Sequence, residues 1–234
     1  MNFATVEAVT LPDGSVKLWS CAGETLWEKV AGRIPAEYQE VEYVHMSTDA
    51  YINTQWRPSN MVLINVGLKT TLGSYPFGIG NDPRLAAHQT NDYLQIYNAH
   101  NGAAGLHNFH SIRPNIVGDI EIFVIEKSND AYVIGNGAKI ANGFTANQYP
   151  VKNADFSGAA ADMFLGAWQY NASTLRTGNV DFYYFKASKN GVPELELVPC
   201  YRKSDGEIGM YDVVRKIFLT NAGTGSFTKG PDIA

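Results

Sequence analysis

The chain is cut at short intervals by pairs of residues that suit a tight reversal of direction. Asp13-Gly14, Asn136-Gly137, Asn190-Gly191 and Asp205-Gly206 each lie between runs of β-forming residues. A type I′ hairpin turn needs positive φ at both central positions, which Asn, Asp and Gly tolerate, and its twist matches that of the strands it joins. Strand-like runs fall at Val41–His45, Ala50–Thr54, Met61–Thr70, Tyr93–Asn98, Asp119–Glu126 and Ala131–Ile134. Others follow at Met163–Trp168, Asn179–Ser188, Val192–Cys200, Gly206–Asp212 and Lys216–Leu219. No stretch sustains a helical period between capping residues, so any helix is short. Roughly a dozen such strands, joined antiparallel, make an all-β fold, a two-sheet sandwich or jelly roll. The 45% of apolar residues suffices for a sizeable core, and the charged fraction of 18% is low.

The first thirty or so residues read separately. Asp13-Gly14 divides Thr5–Leu11 from Ser15–Ser20, and Cys21-Ala22-Gly23 precedes Glu24–Val30. That is a three-stranded meander, too small to be stable alone. Gly32 to Pro35 is the natural boundary, because proline cannot continue a ladder. Two domains are expected, a meander over 1–33 and a jelly roll over 34–234. Trp19 and Trp27 are the residues by which the meander would anchor to a partner.

The formal net charge is −5 and no basic cluster occurs, which argues against a nucleic-acid partner. The longest uncharged stretch, Tyr93 to Ile112, holds Gln95 with several Asn and His, so membrane insertion is not expected. The first lysine is Lys17, and no charged segment followed by an apolar run marks a secretory signal. Synthesis in a cytoplasm is the expectation. Cys21 and Cys200 read as two lone buried thiols rather than a pair.

Two blocks go further. Ile34–Val44, reading IPAEYQEVEYV, with Tyr51–Thr54 (YINT) resembles the opening of a family of bacterial and phage proteins. Val198–Asp212 (VPCYRKSDGEIGMYD) and Phe218–Pro231 (FLTNAGTGSFTKGP) resemble the family's closing block. The family resembles concanavalin A-like jelly rolls related to laminin-G domains, and occurs in phage virion proteins and in surface proteins of gut bacteria. The resemblance spans 34–231. Between about 60 and 180 it is one of pattern only, and there a ligand site would vary. In the opening block Met46-Ser47-Thr48-Asp49-Ala50 replaces the usual Ser-Thr-Gly-Thr-Gln, leaving no glycine at that turn. The resemblance implies a tail or capsid-decoration protein on the virion surface. Residues 1–33, by analogy with attachment modules, would contact other virion proteins, and a trimer is the analogous assembly.

Catalytic chemistry finds little support in the residues. Jelly-roll glucanases carry Glu-x-Asp-x-x-Glu on one strand, since a retaining mechanism holds two carboxyls ~5 Å apart. Asp119 with Glu121, and Glu194 with Glu196, come nearest, but neither has the third acid. Glu194 and Glu196 alternate with Leu195 and Leu197, the pattern of a solvated outer face. His107 and His110 form the one close histidine pair, and no cysteine or acidic cluster accompanies them. Calcium is common in the broader jelly-roll class, and Asp82, Asp92 and Asp162 could contribute ligands, but no spacing marks them. No metal or cofactor is expected, and no enzymatic activity.

Aromatic residues are the remaining candidates, because a sugar's apolar C–H face stacks on a ring while Asn or Asp bonds its hydroxyls. Trp56, Tyr93, Tyr97, Trp168 and Tyr170 lie near Asn53, Asn91, Asn98 and Asn171, mostly at strand ends. Tyr183 and Tyr184 would point to opposite faces of one strand. The competing reading is that most of these rings fill the sandwich core or cover its rim, and only several gathered at one edge would make a site. The expected ligand set is Trp56, Tyr93, Tyr97, Trp168, Tyr170 and Asn171, with bacterial surface glycans as the ligand. Three readings stay open on the residues: a glycan-binding adhesion module, a purely architectural decoration or tail protein, and, with least support, a glycan hydrolase.

Overall fold

The computed structural model describes residues 8–10, 16–18, 28–29, 33–58, 62–80, 84–91, 94–100, 103–109, 117–124, 132–135, 138–142, 162–171 and 174–233. The chain divides into two units, Met1–Ala36 and Glu37–Ala234. The first holds β1 (Ala8–Thr10), β2 (Val16–Leu18) and β3 (Glu28–Lys29), an antiparallel meander with Ala8 opposite Leu18 and Val16 opposite Lys29. Asp13, Gly14, Trp19, Cys21 and Trp27 lie outside the described residues.

The second unit begins with β4 (Tyr38–Glu40), β5 (Val44–Met46), β6 (Ile52–Asn53), β7 (Val62–Thr70), β8 (Phe77–Ile79) and β9 (Arg84–Gln89). It continues with β10 (Leu94–His100), β11 (Ala103–Phe109), β12 (Val117–Val124), β13 (Tyr132–Gly135), β14 (Ala138–Asn142), β15 (Phe164–Leu165) and β16 (Ala167–Asn171). The last are β17 (Thr174–Thr177), β18 (Val180–Lys189), β19 (Val192–Arg202), β20 (Ile208–Asp212), β21 (Ile217–Thr220) and β22 (Phe227–Lys229). Among the described residues there is no helix, and the fold is the all-β, antiparallel jelly-roll sandwich that the turn spacing implied.

A six-stranded sheet runs β11-β10-β9-β8-β15-β6. A nine-stranded sheet runs β12-β7-β18-β19-β20-β21 and also takes in β4, β5 and β22. Alternate residues of both line one core: Ile64, Val66 and Leu68 from β7, Phe182 and Phe185 from β18, and Phe77, Ile79, Leu85 and Leu94 from the smaller sheet. Phe77 meets Phe185 edge-on, ring centroids 5.8 Å apart. The sandwich is closed by its ends. Glu40 pairs with Cys200, Met46 with Phe227, and Val41 bridges Asp232. Residues of the opening and closing blocks are thus neighbours in one sheet.

A buried carboxylate ties this seam. Asp212 is fully buried, pairs with Arg215, and accepts the N–H groups of Glu196, Val214 and Arg215 at 3.0–3.3 Å. Arg215 in turn donates to the carbonyls of Thr54 (2.6 Å) and Gln55 (3.1 Å). The Asn221 side chain accepts the N–H groups of Tyr51 and Gly223 and donates to the Gly225 carbonyl. At the Met46–Ala50 turn, which has no glycine, Asp49 takes φ +63°, held by two hydrogen bonds with the Thr177 hydroxyl. Cys200 is a free thiol, and burial pushes its pKa up to about 12, so it is chemically quiet.

Several local expectations are refined. Asn190-Gly191, with φ of +51° and +78°, makes the two-residue turn between β18 and β19. Asp205-Gly206 does not repeat it: only Gly206 has positive φ, and Arg202 N–H reaches the Glu207 carbonyl across a longer loop. The Asp205 carboxylate, gripped by Arg202 and held below its usual pKa by that bond first, braces the loop instead. β13 and β14 pair antiparallel around Asn136-Gly137, which itself lies outside the described residues. The run Met163–Trp168 is not one strand. Gly166 at φ +79° breaks it into β15 and β16, and a side chain there would come within 2.8 Å of the Ala50 carbonyl oxygen. In β18 the register shifts between Phe182 and Tyr184, so Phe182 and Phe185 are both buried while Tyr183 and Tyr184 are both half-buried, rather than on opposite faces. Strands β8 and β9 were not expected at all.

Candidate functional site

The outer face of the six-stranded sheet is built from small residues. In β8, Phe77 and Ile79 enter the core, so Gly78 faces outward. In β9, Leu85 and Ala87 enter the core, leaving Ala86 and His88 outward, and Gln95 of β10 stands opposite His88. Beyond Gly166 the chain leaves the sheet as the β16–β17 ribbon and lays Trp168 over the gap at Gly78. A methyl group on Gly78 would sit 2.7–2.8 Å from the Trp168 side chain, closer than carbon atoms approach. The indole N–H donates to the Gly80 carbonyl at 2.7 Å, and Trp168 is only 3% exposed.

Around this floor the other rings assemble. Tyr170 shares a strand with Trp168 two residues on, and meets it edge-on at 5.1 Å. The β16–β17 register shifts between Gln169 and Asn171, around Tyr170, and such irregularities re-aim a side chain. Tyr170 is 37% exposed. Tyr75 approaches Trp168 at 5.7 Å and stacks on His88 at 4.4 Å with the planes 9° apart. Arg176, paired opposite Trp168, places its guanidinium 4.3 Å over the Tyr170 ring and 5.5 Å from the Tyr75 centroid. Its Nη1–H donates to Tyr75 Oη at 2.8 Å. The result is a platform of Tyr75, His88, Tyr170 and Arg176 supported by Trp168.

Burial holds the pKa of His88 below the ordinary histidine value, the Arg176 charge acts in the same direction, and a hydrogen bond with Gln95 opposes both. The imidazole is therefore neutral near pH 7.

The opposite sheet carries a second hollow of about 280 Å³, lined by Tyr43, His45, Lys69, Thr71, Asn179, Asp181 and Thr228. There His45 Nδ1 lies 2.6 Å from Asp181 Oδ1, and Lys69 Nζ lies 3.9 Å from Asp181 Oδ2. Its charges already answer one another.

The expected ligand residues are placed as follows. Trp56 is a core residue, 8% exposed, donating its indole N–H to Glu194 at 3.1 Å. Trp168 supports the platform from beneath, and Tyr170 lies at its surface. Tyr97 occupies the β10 position paired with Ala86, and Asn171 ends β16 opposite Thr174. Tyr93 lies outside the described residues. Tyr75, His88, Gln95 and Arg176 were not anticipated. The only sequence signal was the Trp168-Gln169-Tyr170 alternation, which puts two rings on one face of a strand.

The carboxylates considered for hydrolysis are otherwise engaged: Glu194 with Trp56, and Glu196 with Lys186 at 2.9 Å. Asp119 and Glu121 sit on β12 opposite Gly67 and Asn65. Asp162 pairs with Arg57 at 2.8 Å, while Asp82, Asp92 and His110 lie outside the described residues. Among the described residues no three His, Cys, Asp or Glu side chains converge.

No protein-family model and no curated protein matches the chain. Solved structures do. A candidate carbohydrate-binding protein from Bacteroides ovatus superposes with a TM-score of 0.52 at 11% identity, over 83% of this chain and 62% of that one. The chain thus spans less than two thirds of that structure's length. Two structures of alginate lyase A1-II′, one described as a member of polysaccharide lyase family 7, align over 80% of this chain and 85% and 84% of theirs. Their TM-scores are 0.34 and 0.33, at 16% and 15% identity. The likeness to the first structure is one of fold, the jelly-roll sandwich.

The lowered pKa of His88 makes stability depend on pH. The unfolded chain binds the proton more readily, so this stabilisation is complete above the unfolded value of about 6.5 and declines as the pH falls through it, levelling once the folded imidazole also protonates. Urea unfolding measured between about pH 5 and 7 should show a steeper acid loss for the native chain than for His88→Gln. Equal slopes would contradict the assignment.

Proposed function

We propose that the jelly roll is a non-catalytic carbohydrate-binding module and that its sugar site is the aromatic platform on the outer face of the six-stranded sheet. One observation carries this: a partly exposed Tyr170 ring, with the Arg176 guanidinium over it, is mounted on a buried tryptophan beside a phenol and an imidazole. The exposed part of the ring offers a stacking surface for the C–H face of a pyranose, and the surrounding donors suit its hydroxyls. Such a site on strands needs little ordering when ligand arrives, which favours affinity. The fold shared with the Bacteroides ovatus protein supports the ligand class, and the engagement of Glu194 and Glu196 in other bonds supports a non-catalytic role.

The resemblance of the opening and closing blocks to phage virion proteins supports a wider reading. The chain is displayed on a phage particle, residues 1–33 attach it to other virion proteins through Trp19 and Trp27, and the jelly roll binds glycans of the host surface.

The experiment is a titration of the full chain against a panel of neutral and acidic oligosaccharides. Binding is expected, and Tyr170→Ala should weaken it at least about tenfold while the circular dichroism spectrum is retained. Undiminished binding by Tyr170→Ala would remove the platform as the site, and new reducing ends or unsaturated products would overturn the non-catalytic assignment. For the particle, Trp19→Ala with Trp27→Ala should abolish incorporation of a folded chain into virions, and full incorporation would refute the attachment role.

A further inference from the structure

We infer that the sugar received by the platform is anionic, bearing a carboxylate or a sulfate group, and that Arg176 binds that group. The inference rests on the carbohydrate-binding reading of the same site and names the ligand class within it.

Three other arginines show what this fold does with a guanidinium. Arg57 pairs with Asp162, Arg202 with Asp205, and Arg215 with Asp212. Arg176 is different. Among the described residues no carboxylate lies within ion-pairing distance of it, although the chain carries 23 acidic residues against 18 basic ones. It is half-buried, and a guanidinium stays charged at every physiological pH. A cation withdrawn from water without a counter-ion is costly unless something else meets it.

What meets it here is aromatic. The guanidinium lies over Tyr170 and spends one N–H on Tyr75 Oη. Both contacts hold the guanidinium in place and, among the described residues, leave its remaining donors without a carboxylate partner. A guanidinium held in this way keeps paired N–H donors of the kind that a carboxylate or sulfate accepts. Electrostatics beside it are permissive, since His88 stays neutral near pH 7 and the fixed charge on the platform is positive. The second hollow makes the contrast, because there Asp181 already satisfies His45 and Lys69.

The same contacts could serve only to staple two tyrosines together, so the test reads charge preference rather than affinity alone. The full chain is titrated with a uronic-acid oligosaccharide and its carboxyl-reduced counterpart, and with a sulfated oligosaccharide and its desulfated counterpart, at low and at physiological salt. The charged member of at least one pair is expected to bind about tenfold or more tightly than its neutral counterpart, with the preference shrinking as salt rises. The pair that shows the preference identifies carboxylate or sulfate. Arg176→Gln should abolish the preference, and Arg176→Lys, which keeps the charge but loses the fork, should restore part of it. Equal binding of charged and neutral members would overturn the anionic assignment while leaving carbohydrate binding in place. Absence of binding to every member, neutral ones included, would overturn both.

Discussion

The candidate site depends on one notch and the ring that fills it. Gly78 leaves a gap on the outer face of the smaller sheet, and Trp168 occupies it so closely that no side chain larger than hydrogen fits beneath. The indole hydrogen bond to the Gly80 carbonyl sets the orientation of the ring. Burying a tryptophan of this kind is worth on the order of 3–5 kcal/mol by the usual cost of truncating one. That is enough to hold a two-stranded ribbon that would be only marginally stable alone. Tyr170 and Arg176 inherit their positions from this docking, Arg176 because its residue is the ladder partner of Trp168.

The sandwich beneath supplies rigidity. Its seam joins residues nearly the whole unit apart in sequence, and the pair of buried Asp212 with half-buried Arg215 reaches from the β20–β21 turn to the Thr54 and Gln55 carbonyls. A buried carboxylate is tolerated where it is paired and its remaining lone pairs are satisfied, as three N–H groups do for Asp212. Gly166 then connects scaffold to site. It ends β15 inside the sheet and turns the chain outward into β16, with its own N–H bonded to the Pro76 carbonyl at 2.6 Å. The segment before β8 and the segment after β15 are thereby fixed together, which is why Tyr75 and Trp168 meet.

How much of this was legible in the sequence follows from where the information lies. Hairpins were legible because Asn190-Gly191 states its backbone geometry locally, and the closing block because its turns and alternation are contiguous. β8 and β9 were not, because Phe77-Gly78-Ile79 is only three residues long with a glycine at its centre, and Arg84–Gln89 lacks the β-branched residues and the Phe, Tyr or Trp that mark strands. Gly78 is small where Trp168 packs over the sheet, so the feature that makes the site also hides its strand. Trp168 and Tyr170 could be nominated by their alternation, but nothing local brings Tyr75 or His88 to them. Trp56 shows the converse: a tryptophan near asparagines is as well suited to a core, and its indole found Glu194.

The most direct measurement is to locate a bound sugar. Side-chain and amide resonances of the full chain would be followed by NMR during addition of an acidic oligosaccharide. The expected result is perturbation concentrated on the rings of Tyr170 and Tyr75, the Arg176 guanidinium and the amides near Gly78 and Gly80. Perturbation confined to Tyr43, His45, Lys69 and Asp181 on the opposite sheet would contradict the assignment of the site. No perturbation by the acidic oligosaccharide or by its neutral counterpart would contradict carbohydrate binding itself.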